Sequence, residues 1–377
     1  MHIVDTTLFF APHSGGVKRY LLAKNRFLAR QRGVRHTLLV PGPRSRRAAS
    51  IVELRSPAIP FGGGYRVPLD LGAWRRTLCD LEPDVIEAGD PYHVAWAALG
   101  AGRRSGAPAV AFAHSDVARL LASRLGSMAG AASKAYLRAL YRRFDLVLAP
   151  SATIAGRLLD CGLERVLVQP LGVDAELFHP SRRDPGLRAE LGLPRGTRLC
   201  IFAGRMAGEK RIEVLQRAFE QLGRPYHLLL VGGEARRRAG ANVTLWPYEH
   251  DGARLARLVA SCDALVHAGE HETFGLVFLE AMACGIPVIG VRAGAVPELV
   301  DESTGALAEP GSAASLAQTV RSLYERDLAS MGARARSRVE QRYTWGATFR
   351  ILLSRYASLA RREPLEGLEP ANATGAP

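Results

Sequence analysis

Short, almost unbroken apolar runs alternate with stretches of helical period along this chain, and the alternation starts twice. The first series is HIVD (2–5), HTLLV (36–40), DVIEA (84–88), AVAFAH (109–114), DLVLAP (145–150) and RVLVQP (165–170). GVKRYLLAKNRFLARQ (16–31) is one of the helical stretches between them. Runs apolar on both sides belong to strands covered on both faces, the condition of a parallel sheet with helices above and below. LGVDAELFHPSRRDPG (171–186) breaks the pattern with turn residues and no period. RLCIFAG (198–204), HLLLVGG (227–233), VTLW (243–246), DALVHA (263–268) and PVIGV (287–291) then restart it.

The expectation is an α/β chain of two Rossmann-like domains, 1–170 and 187–342, joined by a linker at 171–186. A helix over 343–362, opened by Thr344 and carrying Phe349, Leu352, Leu353 and Tyr356 at helical spacing, would follow. The tail 363–377, rich in Pro, Gly and Ala, is expected to be disordered. Two such halves imply a crevice, with ligands at the carboxyl ends of the strands.

Several function classes are disfavoured. No run of about 18 uncharged apolar residues occurs, so no membrane-spanning helix is expected, and MHIVDTTLFF lacks the basic start of a secretory signal. A cytoplasmic chain is the reading. The cysteines Cys79, Cys161, Cys200, Cys262 and Cys284 are scattered, with no CxxC pair, and read as small core residues. Residues 1–170 hold 24 Lys+Arg against 12 Asp+Glu, so +12 of the net +14 lies there. That asymmetry fits either an anionic partner or an arginine-rich composition, and both stay open. A nucleic-acid-binding protein would account for the charge, but no helix-turn-helix, zinc-finger or RNA-recognition signature accompanies it.

The chemistry concentrates in HETFGLVFLEAMACGIP (271–287). Glu272 falls in the loop after a strand, and Glu280 inside the helix that follows Gly275. Glycine lets a ligand approach the backbone closely, and the N–H groups of Phe274, Gly275 and Leu276 form an anion site at a helix start. Carboxylates do not bind phosphate, but they accept hydrogen bonds from hydroxyls. A phosphate flanked by hydroxylated rings, as in a nucleotide sugar, meets both demands. Taken singly, Glu272 reads as a solvated loop residue and Glu280 as a paired helix carboxylate; the spacing, the glycine and the helix start together favour the ligand reading.

This segment resembles the E-x7-E signature of retaining glycosyltransferases of the GT-B fold, glycosyltransferase family 4. SGGVKRY (14–20), LGVDAELFHP (171–180), AGRMAGEKR (203–211) and RAGAVPELV (292–300) match in order. The resemblance implies two Rossmann-like domains whose parallel sheets face across a central cleft, with the donor in the second domain and the acceptor in the first. It implies transfer of a hexose (glucose, mannose or galactose) from a nucleotide-diphosphate sugar to a hydroxyl of a glycan or lipid-linked acceptor, as in lipopolysaccharide or glycolipid synthesis.

Arg205 and Lys210, after a strand end, would neutralise the diphosphate. No DxD-like acidic pair is found, so no metal and no cofactor is expected; the absence of G-x-G-x-x-G argues against a dinucleotide. Gly15 and Gly16 precede the first helix, where their N–H groups can face the diphosphate, or form an ordinary turn. Arg211 stands where relatives commonly have Gly. The nucleobase is expected near WPYEHD (246–251). His114, closing its strand, is expected near the reacting sugar or acceptor, with Asp116 as a further acceptor-side candidate. The leaving β-phosphate would take the acceptor's proton, so His114 need not be the base. Over 116–145, Arg119, Arg124, Lys134, Arg138, Arg142 and Arg143 interleave with Leu, Met and Tyr, as basic helices touching an anionic membrane would, or as core helices with a solvated basic face. A nucleotide-sugar epimerase on the same fold is the alternative enzyme.

Overall fold

The computed structural model describes residues 1–11, 14–60 and 63–363, apart from the side chains of Leu120, Ser123 and Arg124. The expected disordered tail therefore lies outside the described residues, except for Glu363.

The chain divides into two compact units, Met1–Leu171 with the segment from Thr348 onward, and Gly172–Ala347. The first is built on β1 (His2–Thr6), β2 (Arg35–Gly42), β3 (Arg46–Arg47), β4 (Ile51–Arg55), β5 (Val85–Ala88), β6 (Ala109–Phe112), β7 (Leu146–Ala149) and β8 (Val166–Val168). They form one sheet in the order β3-β4-β2-β1-β5-β6-β7-β8, parallel except at β3 against β4. The second unit holds β9 (Arg198–Ala203), β10 (Tyr226–Gly233), β11 (Arg237–Arg238), β12 (Val243–Pro247), β13 (Ala264–Val266), β14 (Val288–Val291) and β15 (Gly305–Ala308). Their order is β11-β12-β10-β9-β13-β14-β15, parallel except at β11 against β12. The runs that read as strands are strands. Four were not anticipated: β3 and β11, two-residue edge pieces, β4, and β15, whose GALA has no β-branched residue.

Each sheet has its own core. Trp74, Leu78, Ile86 and Val94 are buried in the first, and Phe202, Leu215, Phe219 and Leu230 in the second. In both sheets the strand order reverses beside the first strand of the unit, at β1/β5 and at β9/β13. Such a reversal sends the connecting helices to opposite faces and opens a crevice outside the carboxyl ends of the two strands.

Of residues 171–186, read from sequence as a linker, 172–186 fall within the second unit. Val173 bridges Thr344, Pro180–Arg182 form a 3-10 turn, and Asp184 pairs with Arg257 at 2.7 Å. The helix Trp345–Ala360 begins where Thr344 Oγ1 accepts from the Ala347 N–H at 3.2 Å. Its later turns pack in the first unit, with Phe349 5.6 Å from the rings of both Tyr20 and Phe27.

That helix also closes a buried charge network. Lys24 Nζ lies 2.8 Å from Asp5 Oδ2, 3.0 Å from Glu87 Oε1 and 2.8 Å from the Tyr356 hydroxyl. Tyr356 donates to the other Glu87 oxygen, and His36 Nε2 is 3.0 Å from Asp5. Burial pushes the Glu87 carboxyl up to about 7 against the pull of Lys24.

Candidate active site

The second unit assembles its chemistry at the β9/β13 reversal. After β9 the chain runs through Arg205 to a 3-10 turn, Gly208–Lys210. After β13 it runs through His267 and Gly269 to Glu272 and then into the helix Leu276–Ala283. A Cβ on Gly269 would stand 2.6 Å from the His267 ring and 2.9 Å from the Glu209 carbonyl oxygen, so glycine is what lets the two loops touch. Across that contact Lys210 Nζ donates to Glu272 Oε1. His267 Nε2 lies 3.2 Å from the same oxygen.

The Glu272 backbone is clasped from a third loop. Its carbonyl accepts from the Ala295 N–H at 2.9 Å, and Gly294, at φ +59°, passes so close that a Cβ there would be 2.6 Å from that oxygen. The Glu272 side chain is only 14% exposed. Burial alone would raise its pKa, but the Lys210 charge and the His267 contact outweigh burial and hold the carboxyl well below the usual carboxylate range.

Gly275 starts the next helix at φ +97° with no side-chain cap, leaving first-turn N–H groups for a ligand. The Phe274 side chain is buried, 6.1 Å from the Tyr343 ring, so its backbone is the part open to a ligand role. Glu280, 4% exposed, sits in the second turn of that helix.

The cations expected here behave differently. Lys210 is engaged with Glu272, whereas Arg205 is 68% exposed, 3.6 Å from Glu209. Arg211 occupies the left-handed region at φ +52°, a conformation that glycine adopts without steric cost. Its guanidinium reaches Glu270 at 3.3 Å and Glu213 at 3.6 Å. His267 and Glu270 were not singled out from sequence. His267 follows its strand in the run DALVHA as His114 follows its own in AVAFAH, and that parallel was the available signal.

In the first unit, Gly15 caps the helix Gly16–Leu28, and a Cβ there would meet nothing within 4 Å. Neither its φ nor its packing demands glycine; the bare backbone leaves the helix start open. His114, 8% exposed, lies flat on Phe112 at 4.0 Å and edge-on to Tyr20 at 5.0 Å. Burial, reinforced by the Lys24 charge, pushes its imidazole down to about 3, so it is neutral at physiological pH. Asp116 is already committed: it caps the helix Val117–Leu125 through the Arg119 N–H at 3.1 Å and pairs with Arg157.

A pocket of about 750 Å³ opens beside Ser115 and Asp116, among the helices Val117–Leu125, Ser127–Tyr141 and Ala152–Asp160. Ala118, Ala122 and Leu137 line it, and Arg119, Lys134 and Arg138 add positive charge. At the turn between the first two helices, Leu125 and Met128 are 70% and 86% exposed. Leu137, Leu140, Tyr141 and Phe144 are core residues, so the second helix is amphipathic with an inward apolar face. Among the described residues no helix is long and apolar enough to cross a membrane, and no group of three or more His, Cys, Asp or Glu is placed to hold a metal ion.

Family models match both units: Glycosyltransferase Family 4 over residues 14–177 and Glycosyl transferases group 1 over 197–326. A GDP-mannose-dependent alpha-(1-6)-phosphatidylinositol dimannoside mannosyltransferase of Mycobacterium tuberculosis is 30% identical, over 96% of this chain and 97% of its own length. A GDP-mannose-dependent alpha-mannosyltransferase of Mycolicibacterium smegmatis is 33% identical, over 80% and 82%. Among solved structures, sucrose-phosphate synthase from Thermosynechococcus elongatus superposes with a TM-score of 0.81 at 21% identity, covering 96% of this chain and all of that one. Anabaena HepE in complex with UDP-glucose gives 0.74 at 22%, covering 95% and 100%.

Proposed function

Because this chain belongs to glycosyltransferase family 4 and is a glycosyltransferase of the GT-B fold, we propose that it moves a mannosyl group from GDP-mannose to a hydroxyl of an anionic, lipid-linked glycan. In this reading transfer proceeds with retention of configuration and without a metal. The observation that carries it is the meeting of Lys210 and Glu272 at the strand-order reversal, next to an uncapped helix start. One cation, one fixed carboxylate and a set of free N–H groups match one diphosphate between two hydroxylated rings. The names of relatives about 30% identical favour mannose and GDP.

Each group then has a task. Lys210, Arg205 and the N–H groups of Phe274, Gly275 and Leu276 hold the diphosphate as negative charge develops on the leaving group. This is the charge neutralisation that a divalent ion would otherwise supply. Glu272 takes sugar hydroxyls and Glu280 those of the ribose. The acceptor oxygen bonds to the sugar's anomeric carbon on the face the diphosphate leaves, and its proton passes to the departing β-phosphate oxygen. A neutral His114 orients a hydroxyl of the acceptor without acting as base. The acceptor side draws support from the pocket beside Asp116, its cations and the exposed Leu125 and Met128, which suit a phosphate-bearing lipid at an anionic membrane surface.

The test is the melting temperature with EDTA present, against GDP, UDP, ADP and their mannose, glucose and galactose conjugates. A ligand that binds only the native state raises it. Stabilisation by GDP and GDP-mannose above the others supports the reading; stabilisation by UDP-glucose alone replaces the donor, and a response only after adding divalent metal overturns metal independence.

A further inference from the structure

We propose that His267 is a positioning residue that receives the Glu272 carboxylate when Lys210 turns to the donor's diphosphate. The inference rests on the donor reading above. The charge facing Lys210 in the structure is Glu272. A diphosphate carries more negative charge than one carboxylate and draws the ammonium away, leaving Glu272 largely buried beside a new anion. A carboxylate in that position needs a fixed donor, or it turns from the sugar or takes up a proton.

His267 is built to be that donor. The Gly269 N–H donates to its Nδ1 at 3.1 Å, so Nδ1 is the accepting nitrogen and the ring proton sits on Nε2. Nε2 points toward Glu272 Oε1 at 3.2 Å, yet has no well-directed hydrogen-bond partner among the described residues. The side chain is 1% exposed, with ring centroids 5.4 Å from both Phe202 and Phe278. A buried N–H left unsatisfied carries a cost, and here a small swing of Glu272 removes it. Lys210 and His267 thus stand on two sides of one oxygen, the first mobile and shared with the ligand, the second fixed.

The test compares the parent with His267→Asn and His267→Gln. Gln can place an N–H near the Nε2 position; Asn, one carbon shorter, places its amide near Nδ1 and leaves Glu272 without a donor. GDP binding by calorimetry, GDP-mannose turnover and the melting temperature are measured for each. The expected result is a fall of about 10- to 100-fold in kcat for His267→Asn, GDP affinity within about twofold of the parent, and recovery of most of the loss in His267→Gln. Parental kcat in His267→Asn overturns the proposal. So does an equal loss of GDP affinity and kcat in both variants, which marks a purely structural histidine. Absence of GDP binding in the parent itself overturns the donor reading and this inference with it.

Discussion

Lys210 and Glu272, 62 residues apart, share a hydrogen bond where β9 and β13 end. That contact turns two loops into one site, because Gly269 lets the two backbones come close enough for side chains from both to meet. It also divides the labour of the two glutamates of the signature: Glu272 is engaged with a cation on the neighbouring loop, while Glu280 belongs to the buried side of a helix.

The division has a kinetic consequence. Glu272→Gln keeps the shape and removes the charge, and should lower turnover by about 100-fold while changing GDP affinity little. Glu280→Ala should weaken GDP and GDP-mannose binding by about tenfold or more, as the loss of hydrogen bonds to a charged group does. Initial rates and calorimetric titrations check both. Equal, small effects from the two substitutions contradict the assignment.

Stability of the first unit should depend on Lys24. Its ammonium is fully buried between Asp5 and Glu87, and Lys24→Met leaves two carboxyl groups without their cation. Breaking a buried ion pair by removing one partner costs about 3–5 kcal/mol, and urea denaturation should show a loss of that size. The same helix that brings Tyr356 to Lys24 should exchange its amide hydrogens sooner in this variant.

His114 gives a pH dependence whose sign is fixed. Its folded-state value of about 3 is below the unfolded value of 6.5, so the unfolded chain binds the extra proton between those limits. Stability owed to the neutral ring is present above pH 6.5 and is lost as pH falls toward 3. Glu87, raised to about 7, works in the opposite sense, stabilising below its unfolded value and losing that contribution as pH rises through 7. Comparison with His114→Asn separates the two. The stability gap between parent and variant should narrow by about 2 kcal/mol from pH 8 to pH 5; a constant gap contradicts the buried neutral imidazole.

Membrane contact through the first unit is testable with vesicles. Flotation should recover the protein with phosphatidylglycerol vesicles and not with phosphatidylcholine, and binding should weaken as salt screens the attraction. Substituting Leu125 and Met128 together by Asp should abolish flotation and leave the melting temperature unchanged, since both side chains are mostly exposed. Equal binding to both vesicle types contradicts the electrostatic account.

Much of the fold was legible because its strands are buried on both faces. Continuous runs such as RLCIFAG and HLLLVGG carry that burial in their composition. β15 and the two-residue edges β3 and β11 carry no such signal; neighbours and register make them strands. Residues 171–186 read as a linker because turn residues hide a segment tied down by Asp184 and Val173, whose partners lie 73 and 171 positions on. The placement of Glu272 in the loop after a strand, and of Glu280 in the helix that follows Gly275, was legible through spacing. What spacing does not encode is which cation meets Glu272: Arg205 and Lys210 look alike in sequence, yet one is exposed and the other engaged. Nor does it encode His267, whose importance comes from a partner five residues on across a turn, or the network that joins Lys24 to Tyr356 over 332 residues.

The most direct test of the central claim is release of GDP from GDP-mannose in the presence of EDTA, with and without a phosphatidylinositol mannoside acceptor, followed by NMR of the glycolipid product. The account predicts acceptor-dependent GDP release, a newly formed α-mannosyl linkage, and loss of both in Lys210→Ala. Release that is indifferent to acceptor, or a β-linked product, or activity that requires a divalent ion, would contradict it.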